Sequence, residues 1–105
     1  MELDEALREL KRELEALYGD RLKGLYLFGS HARGEAGPDS DVDVAVVLDD
    51  YEFASRELRR MADILNRLSL EYDVILAAVP VRQREWEDRR TPLLINLHRE
   101  GMPVA

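Results

Sequence analysis

The chain has 105 residues and a formal net charge of −7, with 46% of its residues hydrophobic and no cysteine. That length allows one domain, over residues 1–105, with a single core and no room for a separate substrate domain, and the lack of cysteine excludes disulfides and thiolate metal sites. The acidity argues against nucleic acid held along its backbone, which depends on Lys and Arg displacing counterions, and the longest apolar run, Val74 to Val81, is far short of the roughly 20 residues of a spanning helix.

Met1-Glu2-Leu3-Asp4 offers no basic, apolar leader, so the expectation is a cytoplasmic protein without membrane or nucleic-acid partners. From Glu2 to Tyr18, Leu3, Leu7, Leu10, Leu14 and Leu17 make one stripe of a helix that packs on the domain's own sheet. Leu22 to Phe28 reads as a buried strand, Ser30 to Arg33 as one helical turn, and Gly34 to Ser40 as a loop built on Gly37-Pro38-Asp39. The second strand runs from Asp41 to Leu48. Its period of two puts Asp41 and Asp43 on one face with Ala45 and Val47, while Val42, Val44, Val46 and Leu48 make the other face wholly apolar.

A second long helix is predicted over Tyr51 to Leu68, capped by Asp49-Asp50, with Ala54, Leu58, Met61, Ala62, Leu65 and Leu68 inward. Tyr72 to Val79 reads as a third strand with Asp73 near its start, and Pro80 to Arg90 as a loop or frayed helix. The last helix, Pro92 to Glu100, has Thr91 as N-cap, proline at its first position and Gly101 as C-cap. Pro103-Val104-Ala105 adds a short edge strand.

The helix between strands two and three predicts a parallel pair with a right-handed crossover. An antiparallel first strand then brings Gly29-Ser30 to the same sheet edge as Asp41, Asp43 and Asp73. Clustered carboxylates repel by roughly 4 kcal/mol per pair at 4 Å and an effective dielectric of about 20, which calls for raised pKa values or a bound cation. Magnesium suits hard oxygen ligands shared with phosphates, and a glycine-serine pair at a helix mouth suits a phosphate.

Gly29-Ser30, ten intervening residues, and Asp41-Val42-Asp43-Val44 with a further acid on a later strand resemble the nucleotidyltransferase superfamily related to DNA polymerase beta. The resemblance is to its minimal MNT branch and spans essentially the whole chain. It implies an α/β (α+β) nucleotidyltransferase fold, a small mixed sheet of three to four strands flanked by helices. It also implies transfer of a nucleoside monophosphate to a hydroxyl with release of pyrophosphate. Gly29 and Ser30 would hold the β and γ phosphates, with Arg33 in reach, and Asp41 and Asp43 would bridge two Mg2+ ions. Asp73 would complete the second metal site and help deprotonate the acceptor, with Glu71 as the runner-up for that role.

Minimal family members commonly serve as antitoxins beside a HEPN toxin, so the resemblance points to AMP transfer from ATP onto a toxin tyrosine. Two other readings are a non-catalytic antitoxin binding module and transfer to a small-molecule hydroxyl with the acceptor site on a second polypeptide. His31 reads as a loop histidine, and Trp86 as packing against the domain.

Overall fold

Four strands in the order β3-β2-β1-β4 form one mixed sheet. The computed structural model describes residues 3–37 and 39–105, so the predicted helix start at Glu2 and the loop's Pro38 lie outside the described residues. The elements are α1 (Leu3–Tyr18), a 3-10 turn (Gly19–Arg21), β1 (Leu22–Phe28), α2 (Ser30–Arg33), β2 (Val42–Leu48), α3 (Ala54–Tyr72), β3 (Leu76–Arg82), α4 (Gln83–Asp88), α5 (Pro92–Glu100) and β4 (Met102–Pro103). β1 pairs antiparallel with β2 and with β4, and β2 pairs parallel with β3. Those directions are the predicted ones.

The alternation of β2 divides the core. Val42, Val44, Val46 and Leu48 pack with Leu25, Leu27 and Leu76 against α1 and α3, whose contributions include Leu10, Leu14, Met61 and Leu68. On the opposite face Ala45 and Val47 meet Leu94 and Leu97 of α5, with Tyr26, Val79 and Trp86 beside them. Trp86 stacks between Tyr26 and His98, with ring centroids 4.3 and 3.9 Å away, so it packs against the domain.

α5 follows its expected bounds, since Thr91 Oγ1 accepts the Leu94 N–H at 3.2 Å and Gly101 closes the C-terminus. α3 does not: it starts at Ala54 and continues to Tyr72. Asp49 and Asp50 are not its caps; the Asp49 side chain instead accepts the Asp50 N–H and Arg21 Nε. Its inner face is also rotated from the predicted one, with Glu57, Met61, Leu65 and Leu68 buried and Ala54 and Leu58 exposed. A buried carboxylate needs a hydrogen-bond partner, and Tyr18 Oη donates to Glu57 Oε1 at 2.9 Å. Burial and then Glu57 push the Tyr18 hydroxyl's pKa well above its ordinary range.

Candidate active site

Pairing sets the site. β1 ends with Phe28 opposite Asp43, so Gly29 is the first residue beyond the ladder and lies against the Asp43 side chain. Its backbone has φ 74° and ψ −154°, a region that is essentially glycine-only. A β-carbon there would also collide with Asp43 Oδ2. Glycine therefore allows the turn and the carboxylate to share this space.

α2 begins at the next residue. Its first helical bond runs from the Arg33 N–H to Gly29 O at 3.1 Å. The amides of Ser30, His31 and Ala32 precede that bond and have no acceptor among the described residues. A turn of open N–H groups thus lies beside a carboxylate, a combination that can hold phosphate oxygens and their counterion together.

Asp41, exposed, comes one residue before β2, and Asp43, half-buried, is the second residue of the strand. Burial pushes the Asp43 carboxyl's pKa up and the negative charge of Asp41 adds to this, while His31 and Arg33 pull it down. Two neighbouring carboxylates are hard-oxygen donors of the kind that hold a divalent cation shared with phosphates. The loop behind Asp41 is fixed at both ends: the Ser40 N–H bonds Gly37 O at 3.2 Å, and His31 Nε2 donates to Ser40 O at 3.3 Å. His31 thereby joins the Gly29 turn to the approach of β2. Arg33 Nε donates to Glu35 Oε2 and Nη1 to Glu100 Oε2, both at 3.1 Å.

The third carboxylate is placed differently from expectation. The predicted strand over Tyr72 to Val79 is instead the last turn of α3, a connection, and β3 from Leu76. Asp73 is the C-cap of α3 at φ 53°, and Glu71 sits in the helix's final turn. Since Val42 pairs with Leu76 and Asp43 with Ala77, the strand position level with Asp43 is Ala77, and Asp73 lies four residues earlier. Asp73 instead lines a cleft of about 460 Å³ with His31, Asp39, Ser40 and Ile75. Among the described residues no three His, Cys, Asp or Glu side chains come close enough to hold one ion. The structure thus brings together Gly29, Ser30, Asp41 and Asp43, with Arg33 nearby, and leaves Asp73 at the rim of the same sheet end.

Sequence reasoning missed Glu100 as a partner of Arg33. The two are 67 positions apart, and nothing local marks one for the other.

The sheet order, the glycine turn and the paired aspartates define a nucleotidyltransferase, and the profile of the nucleotidyltransferase domain family matches residues 7–97. The chain belongs to this family. Among its relatives is a Methanocaldococcus jannaschii protein, provisionally named a protein adenylyltransferase, with 33% identity over 79 residues, 75% of this chain and 79% of the relative. Among solved structures, a chain of a toxin–antitoxin complex crystallised with AMP-PNP matches 98% of this chain and 73% of its own length at TM-score 0.68 and 20% identity. A chain from the complex of a tri-AMPylated Shewanella oneidensis HEPN toxin with its MNT antitoxin covers 94% of this chain and 71% of its own length at TM-score 0.53 and 16% identity. Identities this low show a shared fold. No helix among the described residues is long and apolar enough to cross a membrane.

Proposed function

We propose that this nucleotidyltransferase moves AMP from ATP onto a tyrosine hydroxyl of a HEPN-type toxin in the cytoplasm, and so acts as that toxin's antitoxin. The observation that carries the reading is the contact of the Gly29 turn with Asp43, which sets open amides beside the carboxylate pair. The names of the relatives support AMP as the transferred group, and the HEPN complex supports the partner.

In this reading the Ser30, His31 and Ala32 amides receive the β and γ phosphates. Asp41 and Asp43 would hold Mg2+, which when bound neutralises phosphate charge and steadies the leaving pyrophosphate. One protein-held ion is proposed rather than two, because Asp73 stands off the pair. The acceptor oxygen attacks the α phosphorus, the bond to the β-phosphate's bridging oxygen breaks, and pyrophosphate leaves with the electron pair. The hydroxyl proton leaves through water, with Asp73 at the rim of the same sheet end as its eventual acceptor.

The test is transfer of label from each nucleoside triphosphate, labelled on the α phosphate, with magnesium and an extract of the source cell. Label on one protein, from ATP alone and absent with Asp41→Asn, is the expected result. A folded protein that binds its toxin but transfers no label to it overturns this reading in favour of the non-catalytic binding module. Label recovered only on a small molecule would instead identify a small-molecule hydroxyl as the acceptor.

A further inference from the structure

We propose that Glu100 is a positioning residue for nucleotide binding, acting through Arg33; this rests on the reading of Gly29–Ser30 and the aspartate pair as the triphosphate site. Arg33 closes α2, the turn whose first amides are open, and its own N–H bonds Gly29 O at 3.1 Å. Its side chain therefore springs from the turn that a triphosphate would contact. A free arginine side chain would sample many rotamers there and lose that freedom on binding.

The structure removes that freedom in advance. Glu35 takes Nε and Glu100 takes Nη1, each at 3.1 Å. A guanidinium has five N–H donors in a rigid plane, so two such contacts fix its orientation and leave three donors for phosphate oxygens. Glu35 is on the loop directly after α2 and is the more exposed of the two carboxylates; Glu100 is the better buried and comes from another element.

Glu100 is itself well anchored. It is the last residue of α5, where the Gly101 N–H bonds Leu97 O at 2.7 Å, and a β-carbon on Gly101 would strike that same carbonyl. Met102 and Pro103 then pair with Leu27 and Tyr26 of β1, the strand that leads into Gly29. The sheet that places the phosphate turn therefore also places the carboxylate that orients Arg33. This gives the C-terminal helix and strand a part in nucleotide affinity without any contact to nucleotide.

The test is a double-mutant cycle on equilibrium binding of ATP with magnesium, using the full chain. Glu100→Ala is expected to raise Kd about five- to tenfold, Glu100→Gln, which keeps the acceptor oxygen, to stay within about twofold of wild type, and Arg33→Ala to raise Kd at least as much as Glu100→Ala. In the Arg33→Ala background, Glu100→Ala should have no further effect. An equal loss in both backgrounds makes Glu100 merely structural and overturns the proposal, as does tighter binding by Glu100→Ala, which would make it a competitor for Arg33. Wild-type protein that binds no ATP overturns the reading of the site itself, a result distinct from either.

Discussion

The two faces of the sheet are built for different ends. On the α1/α3 face every inward residue of β2, from Val42 to Leu48, is fully buried, and two long helices cover it from end to end. Among the described residues the other face carries the short helices α4 and α5, which cover Ala45 and Val47 but leave Asp43 half-buried at the mouth. One strand thus contributes a continuous stripe to stability and, one residue out of phase, Asp43 to the open mouth beside Asp41, the pair to which the proposed function gives the chemistry. The first face keeps the strand rigid, so the second holds its acids in place without covering them.

Substitutions on the open face should remove activity and spare stability. Asp41→Asn or Asp43→Asn is expected to lower transfer by at least about a thousandfold, roughly 4 kcal/mol of transition-state stabilisation. Asp43→Asn should also raise Tm slightly. A carboxyl whose pKa is raised on folding costs stability once ionised at neutral pH, and that cost disappears as pH falls through its folded value. A lowered Tm for Asp43→Asn would show that the charge is stabilised by the fold instead.

On the closed face the pattern reverses. Leu10→Ala is expected to cost about 2–5 kcal/mol, each kcal/mol lowering Tm by about 4–8 °C, with transfer per folded molecule unchanged. Gly29→Ala lies where the two effects meet. Its backbone region costs a non-glycine residue about 1–3 kcal/mol, and displacement of Asp43 should reduce transfer about a hundredfold, so urea unfolding and kinetics should both register it.

Tyr18→Phe leaves Glu57 without its hydroxyl donor and should cost about 1–3 kcal/mol. Wild-type stability should hold up to about pH 10 and fall above it, because the unfolded tyrosine ionises there while the folded one does not. Denaturation midpoints of the variant should lose that contribution. The smallest effect is expected from Asp73→Asn, about tenfold on transfer, since Asp73 stands at the rim rather than in the pair. A loss as large as that of Asp41→Asn would mean that Asp73 reaches the reacting atoms in the loaded enzyme.

Local chemistry made much of this legible in the sequence. Strand parity put Asp41 and Asp43 on one side, and Gly29-Ser30 before a short turn marked the open amides. Thr91, Pro92 and Gly101 bounded α5 because capping depends on residues within a few positions. What failed depended on distant partners. The run Leu70-Glu71-Tyr72-Asp73-Val74-Ile75-Leu76 suits a strand or a helix end, and α3 continues through Tyr72 where its inner face meets α1 and the sheet. Glu57 enters the core with a hydroxyl donor from Tyr18, 39 positions away, and Arg60 one turn on at 3.8 Å. The inward face accordingly carries Glu57 rather than Ala54 and Leu58, and a partner so distant cannot be read from periodicity.

The central claim, that the Gly29 turn and the aspartate pair together bind metal-chelated nucleotide, is tested most directly by thermal unfolding with ATP. Ligand at about 100 times its Kd stabilises by about 2.7 kcal/mol. Wild type should therefore gain more than about 10 °C in Tm with ATP and magnesium, little with ATP and a chelator, and Asp41→Asn should gain little under either condition. An equal gain by Asp41→Asn, or no gain by wild type, would contradict the account.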